Sequence, residues 1–124
     1  MPVIVVGLVL LFFFLVSLTA ALKKSPTFDE SVHLYAGYSY LKWGDYRVNP
    51  EHPPLAKLLA AVPLMTLNLE TRSVSPTARD LVQQNTFYGW GLANRFIYVD
   101  NDAETLFFYS RLVMIALALT LGLS

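Results

Sequence analysis

The chain has 124 residues, nine basic and nine acidic, so its formal net charge is zero. With no basic excess there is no electrostatic case for a nucleic-acid partner. The absence of cysteine excludes a disulfide frame and thiolate chemistry and leaves the redox compartment undetermined.

The charge is unevenly spread. Every acid, and every base except Arg111, lies between Lys23 and Glu104, which leaves a polar segment between two apolar ones. Residues Val3 to Leu22 carry no charge, and a helix of about 20 residues at roughly 1.5 Å per residue matches a bilayer core of about 30 Å. Thr19-Ala20-Ala21 would suit a cleaved signal. However, no Lys or Arg precedes the apolar core, and that core is about twice the usual signal length. Residues 1–22 are therefore expected to form an uncleaved transmembrane helix. Lys23 and Lys24 follow it, and the positive-inside tendency alone would put the next segment in the cytoplasm.

Residues 23–104 read as a loop carrying helices of its own. Thr27 and Glu30 stand at capping-box spacing before an apolar pattern, which predicts a helix over about 28–43 that stops at Gly44. On it, Asp29 and Glu30 lie four and three residues before His33, so either acid can approach the imidazole. Gly37 keeps one side of this helix thin. Tyr35, Tyr38, Tyr40 and Trp43 suit a headgroup-level position. Prolines 50, 53 and 54 hold the next stretch extended or turning. From Pro53 a nearly apolar helix is expected to about Asn68, disturbed at Pro63, too short to span and suited to lying in the interface. Residues Glu70 to Asp80 are turn-rich. Ala78 to Asn94 predicts one or two short helices interrupted at Gly89 and Gly91. Asn101 and Glu104 stand at capping spacing ahead of a second apolar helix over 105–124. The uncharged part of that helix, Leu112 to Ser124, has only 13 residues, which predicts that the sequence stops inside a span. Arg111, near the start of this helix, is expected to reach the interface along its own stem. There is no internal repeat, heptad pattern, glycine-rich phosphate loop or Asn-x-Ser/Thr acceptor.

Asp29 and Glu51 flank the aromatic helix, with His33, His52, Arg47 and Lys57 nearby. A carboxylate can take a proton from an attacking hydroxyl, and cationic groups can stabilise charge on a phosphate leaving group. Carboxylate and imidazole can also hold a divalent metal, although two ligands seldom suffice. By spacing alone these residues serve equally well as a helix cap and ordinary interfacial side chains.

The order of an apolar helix, then Phe28-Asp29-Glu30-Ser31-Val32-His33, then Gly44-Asp45-Tyr46-Arg47, then Asn49-Pro50-Glu51-His52-Pro53-Pro54-Leu55-Ala56-Lys57-Leu58-Leu59 resembles a known pattern. It is similar to the first extracytoplasmic loop of the glycosyltransferases that use polyprenyl-phosphate sugars, namely family 39, the protein O-mannosyltransferases and the aminoarabinose transferases of lipid A. Tyr88-Gly89-Trp90-Gly91 to Arg111 resembles the passage into their second membrane helix. The resemblance implies an all-α polytopic membrane protein in the cytoplasmic membrane with the loop 23–104 outside, against the hint of Lys23 and Lys24. It implies transfer of sugar from a polyprenyl phosphate to a hydroxyl on protein, lipid or glycan, by inverting displacement. Asp29 matches the loop acid assigned as base, and Glu30 is its partner in the Asp-Glu motif. Glu51 matches an acid that approaches a divalent metal in the aminoarabinose branch, whereas His52, a Lys that meets the carrier phosphate in that branch, follows the O-mannosyltransferases, so both metal use and phosphate contact are left open. Beyond these acids, His33, Arg47, His52 and Lys57 are the expected substrate-binding residues. The family also needs a further acid and many more helices, so these 124 residues alone are expected to be inactive. The competing expectation is a non-catalytic membrane fragment that keeps the loop as a lipid-binding or interaction module.

Overall fold

The computed structural model describes residues 2–71 and 76–124, and among these every regular element is helical. The elements in chain order are α1 (Pro2–Lys23), α2 (Glu30–Trp43), α3 (Pro54–Ala61) continued by a 3₁₀ turn (Val62–Thr66), α4 (Pro76–Gln84), α5 (Thr86–Tyr98) and α6 (Ala103–Leu123). Part of the turn-rich stretch between Glu70 and Asp80, residues 72–75, lies outside the described residues.

Two helices, α1 and α6, are long and apolar enough to cross a membrane. They pack antiparallel: the Arg111 guanidinium bonds the Ala21 carbonyl, and a Cβ at Gly122 would lie 2.8 Å from Leu10. This register carries the first turns of α6 past the end of α1. There Leu106 and Phe107 are buried in the core of the loop region. The second apolar helix is thus a full 21 residues, longer than its uncharged stretch alone, and it serves the loop at one end and the span at the other.

The loop folds around α2, which packs against α3 on one side and α5 on another. Its tyrosines are core residues. Tyr35, Tyr38 and Tyr40 are all nearly inaccessible, with Tyr35 and Tyr38 against Phe96 of α5. The expectation of headgroup-level exposure is overturned for these three, because α3 and α5 cover both flanks of α2. Gly37 allows the close approach of α3, since a Cβ there would lie 2.0 Å from the Lys57 carbonyl oxygen.

Local chemistry explains the boundaries. α2 starts at Glu30 with Asp29 as its N-cap, two residues later than the pattern indicated, because the Thr27 N–H donates to the Glu30 carboxylate and Thr27 Oγ1 turns to Asp29. It ends at Gly44, whose φ of 63° is the left-handed cap a glycine takes without strain. α3 gives way to the tighter 3₁₀ turn where Pro63 removes a donor, and that turn ends at Thr66 rather than Asn68. The break between α4 and α5 falls at Asn85, not at Gly89 or Gly91: the Asn85 side chain accepts the Phe87 N–H, and both glycines continue inside α5. For α6 the cap is Asp102, which accepts the Thr105 N–H. Asn101, the expected cap, instead braces the chain by bonding the backbone of Glu70 and Phe96.

Candidate functional site

A cleft of about 610 Å³ opens between the start of α2, the start of α3 and the first half of α6. Glu30, His33, His52 and Arg111 line it beside an apolar wall that includes Leu55, Ala56, Ala60 and Met114. The polar groups arrive from three elements: α2 supplies Glu30 and His33, the proline-rich turn supplies His52, and α6 supplies Arg111.

The two acids of the Asp-Glu pair have separate surroundings. Glu30 does not approach His33. It receives a two-pronged bond from Arg111, with Nε and Nη2 each 2.8 Å from its carboxylate oxygens. Arg111 Nη1 also donates to the carbonyls of Ala21 and Lys24, at 3.2 and 2.9 Å, where α1 leaves its last carbonyls without helical partners. The arginine therefore joins α1, α2 and α6 at one point rather than reaching the interface alone. Its truncation leaves a partly buried carboxylate uncompensated. We expect Arg111→Leu to cost about 2 kcal/mol, below the roughly 3–5 kcal/mol of a fully buried pair, measured as a lowered midpoint of unfolding in detergent.

Asp29 stays largely exposed beside the cleft residue His33, with one carboxylate oxygen accepting the Thr27 hydroxyl and the other 3.6 Å from His33 Nε2. The His33 ring meets the His52 ring edge to face at 5.2 Å between centroids. On its other side lies the Asn49 side chain, and neither the buried His33 Nδ1 nor Asn49 Oδ1 completes a well-aligned hydrogen bond. The Asn49 amide nitrogen reaches Glu51 at 3.4 Å. Asp29, His33, His52, Asn49 and Glu51 are thus linked as polar neighbours, of which His33 and His52 line the cleft. Among the described residues, no three or more Asp, Glu or His side chains are grouped so as to hold a metal ion. A metal at Glu51 would need ligands from elsewhere.

Burial first, then the nearby Lys57 ammonium, pushes the His33 imidazole below its ordinary range, while Asp29 pulls the other way. The unfolded chain therefore binds its proton more readily than the folded one. Stability contributed by a neutral His33 is complete above an ordinary histidine pKa of about 6.5 and declines as pH falls below it. A thermal melt followed from pH 7.5 to 5.5 should fall, and His33→Gln should flatten that dependence.

Lys57 and Arg47 occupy different places. Lys57 is buried, and its ammonium donates to the carbonyls of Asn49 and His52 and to Tyr40 Oη. The lysine stem lines the cleft while its charge holds the turn that presents His52. Burial lowers its pKa. Asn49 has a φ of 51°, a left-handed conformation that asparagine tolerates better than most residues. Arg47 is away from the cleft: it grips Asp45 through two bonds of 2.8 and 2.7 Å and also pairs with Asp80 of α4. Arg79 of α4 lies 3.6 Å from Asp45 and over the Trp43 ring. That network fastens α4 to the end of α2, and the Arg47 contact holds the Asp45 carboxyl below the usual carboxylate range.

Two contributors, Arg111 and Asn49, were not among the site residues expected from the sequence. Arg111 carried a signal, as a lone cation in an apolar helix in a chain with an acid to spare at Glu30. Asn49 carried a weaker one, a small amide immediately before a proline. No protein-family model matches the chain, and neither a curated protein nor a solved structure matches it.

Proposed function

We propose that this chain is the membrane-anchored amino-terminal part of a glycosyltransferase that takes sugar from a polyprenyl phosphate and passes it to a hydroxyl on protein, lipid or glycan. The observation that carries the reading is the cleft beside α6, where an apolar wall meets His33, His52 and Arg111, with the exposed Asp29 carboxylate 3.6 Å from His33. An amphiphile with a hydrocarbon chain and an anionic head has that division of character. A second groove of about 430 Å³ runs between α1 and α6 and shares Glu30, Arg111 and Met114 with the first, so apolar surface continues toward the spans.

On this reading α1 and α6 cross the cytoplasmic membrane and the loop between them lies outside it. Asp29 accepts the proton of the acceptor hydroxyl as that oxygen attacks the anomeric carbon. The carbon–oxygen bond to the polyprenyl phosphate breaks, with inversion at that carbon. The histidines favour the departing phosphate by hydrogen bonding, and Lys57 by fixing the turn that presents His52. Glu30, bound to Arg111, acts by holding α2 in place. The resemblance of the Asp29-Glu30 and Glu51-His52-Pro53-Pro54 motifs to the polyprenyl-phosphate glycosyltransferases supports the same reading.

A photoreactive polyprenyl phosphate tests it. We expect labelling of the peptide from Leu55 to Lys57 or of that around Met114, competed away by unlabelled carrier. Labelling spread evenly over α1 and α6, and indifferent to competitor, would contradict a specific cleft. The alternative, a non-catalytic lipid-binding module, is favoured by one observation, the commitment of Glu30, the acid that lines the cleft, to Arg111.

A further inference from the structure

Another cavity of about 610 Å³, also bordered by Arg111, lies between the end of α1, the end of α5 and the first turns of α6. Its walls carry both signs of charge. Lys23 and Lys24 come from the α1 end, and Asp102 and Glu104 from the α6 start, with Tyr98 and Phe108 between. Both lysines and Glu104 are exposed, and none of the three side chains forms an ion pair with another described residue. Arg111 lines the cavity but is already committed to Glu30 and two carbonyls, and Asp102 is engaged in capping α6. The groups left to meet a ligand are two ammonium groups on one side and the Glu104 carboxylate on the other.

The height of this cavity is set by the helices that frame it. It begins where the uncharged run of α1 ends at Lys23 and where α6 first rises past that end. If α1 and α6 cross a bilayer, that level is the headgroup layer, where lysine ammonium groups meet lipid phosphate and aromatic rings are favoured. A lysine pair alone would select any anionic lipid. The carboxylate facing it changes the selection, because a second negative charge on the ligand would be repelled while a primary amine would be bonded.

We propose that this cavity binds a bilayer phospholipid whose headgroup carries both a phosphate and a primary amine. Lys23 and Lys24 meet the phosphate and Glu104 meets the ammonium. The proposal rests on the membrane placement of α1 and α6 but not on glycosyl transfer. The ligand here is a bulk bilayer lipid held at the edge of the spans, distinct from the amphiphile of the His33 cleft.

The test is to place the full-length protein in nanodiscs of equal parts phosphatidylethanolamine, phosphatidylglycerol and phosphatidylcholine, then to measure retained lipid by native mass spectrometry. We expect phosphatidylethanolamine to be retained over both others. Glu104→Gln should lower that preference roughly two- to five-fold, the scale of one exposed ion pair, and raise phosphatidylglycerol in exchange. Lys23→Gln with Lys24→Gln should reduce retention of both phosphatidylethanolamine and phosphatidylglycerol. These side chains are exposed, so the melting midpoint should stay unchanged. Equal retention of the three lipids, or a phosphatidylglycerol preference indifferent to Glu104→Gln, would overturn the proposal while leaving the membrane placement intact. Failure to enter the nanodisc, together with release from native membranes by alkaline carbonate, would overturn both.

Discussion

Gly37→Ala is expected to lower stability by about 3 kcal/mol, the upper end of the usual cost of overpacking, and to disturb the cleft as well. The added methyl would sit 2.0 Å from the Lys57 carbonyl oxygen and 3.0 Å from Ala61 Cβ, so α3 itself must move away. The obstacle is backbone rather than the end of a flexible side chain, which is why relief is costly. Moving α3 also withdraws the Lys57 ammonium from the carbonyls of Asn49 and His52. The variant should therefore unfold at lower temperature and show an altered His52 environment by NMR. Gly91→Ala is the matched control. A Cβ there meets nothing within 4 Å, and alanine is the better helix former by about 1 kcal/mol in a helix interior. Equal stability of the two variants would mean that α2 and α3 are not in the close contact described.

The elements most legible in the sequence were those governed by local chemistry. The Val3 to Leu22 run, the Gly44 stop and the disturbance at Pro63 each depend on residues within a turn or two of the feature. The failures came where distant parts meet. Tyr35, Tyr38 and Tyr40 read as interfacial because their hydroxyls suit that zone, and nothing local reveals that Phe96 of α5 meets the first two while Tyr46 and Lys57 meet the third. Asn85 outcompeted Gly89 and Gly91 as the break, since a side chain that satisfies a helix N–H defines a boundary more firmly than a residue of weak propensity. Asn101 lost the cap to its neighbour Asp102 because its amide bridges Glu70 to Phe96, a contact across 31 residues in one direction.

The candidate site divides in the same way. The Asp29–His33 contact follows from helical spacing and was legible. The His33–His52 contact depends on how the proline-rich turn folds back over α2, and the Glu30–Arg111 bond links residues 81 positions apart. Arg47, close to the motif in sequence, is directed by Asp45 and Asp80 to the other end of α2. Proximity along the chain was a poor guide to membership of the cleft.

The second large effect concerns Asp29. Its carboxylate is exposed, accepts the Thr27 hydroxyl at 3.1 Å and stands 3.6 Å from His33, and an amide oxygen can keep the Thr27 bond, so an amide of the same shape should leave the fold nearly unchanged. If it accepts a proton in the transition state, the same change should lower turnover roughly 10²- to 10⁴-fold. Glu30→Gln should differ in kind, weakening the bond to Arg111 and lowering stability together with activity. The decisive measurement is the rate of labelled sugar transfer from a polyprenyl-phosphate donor by the full-length protein in membranes, wild type against Asp29→Asn, with melting midpoints in parallel. The glycosyltransferase account predicts measurable transfer by the wild type, lost in the variant at an unchanged midpoint. Transfer by Asp29→Asn at the wild-type rate, or none by a folded, membrane-inserted wild type across the candidate donors, would contradict it.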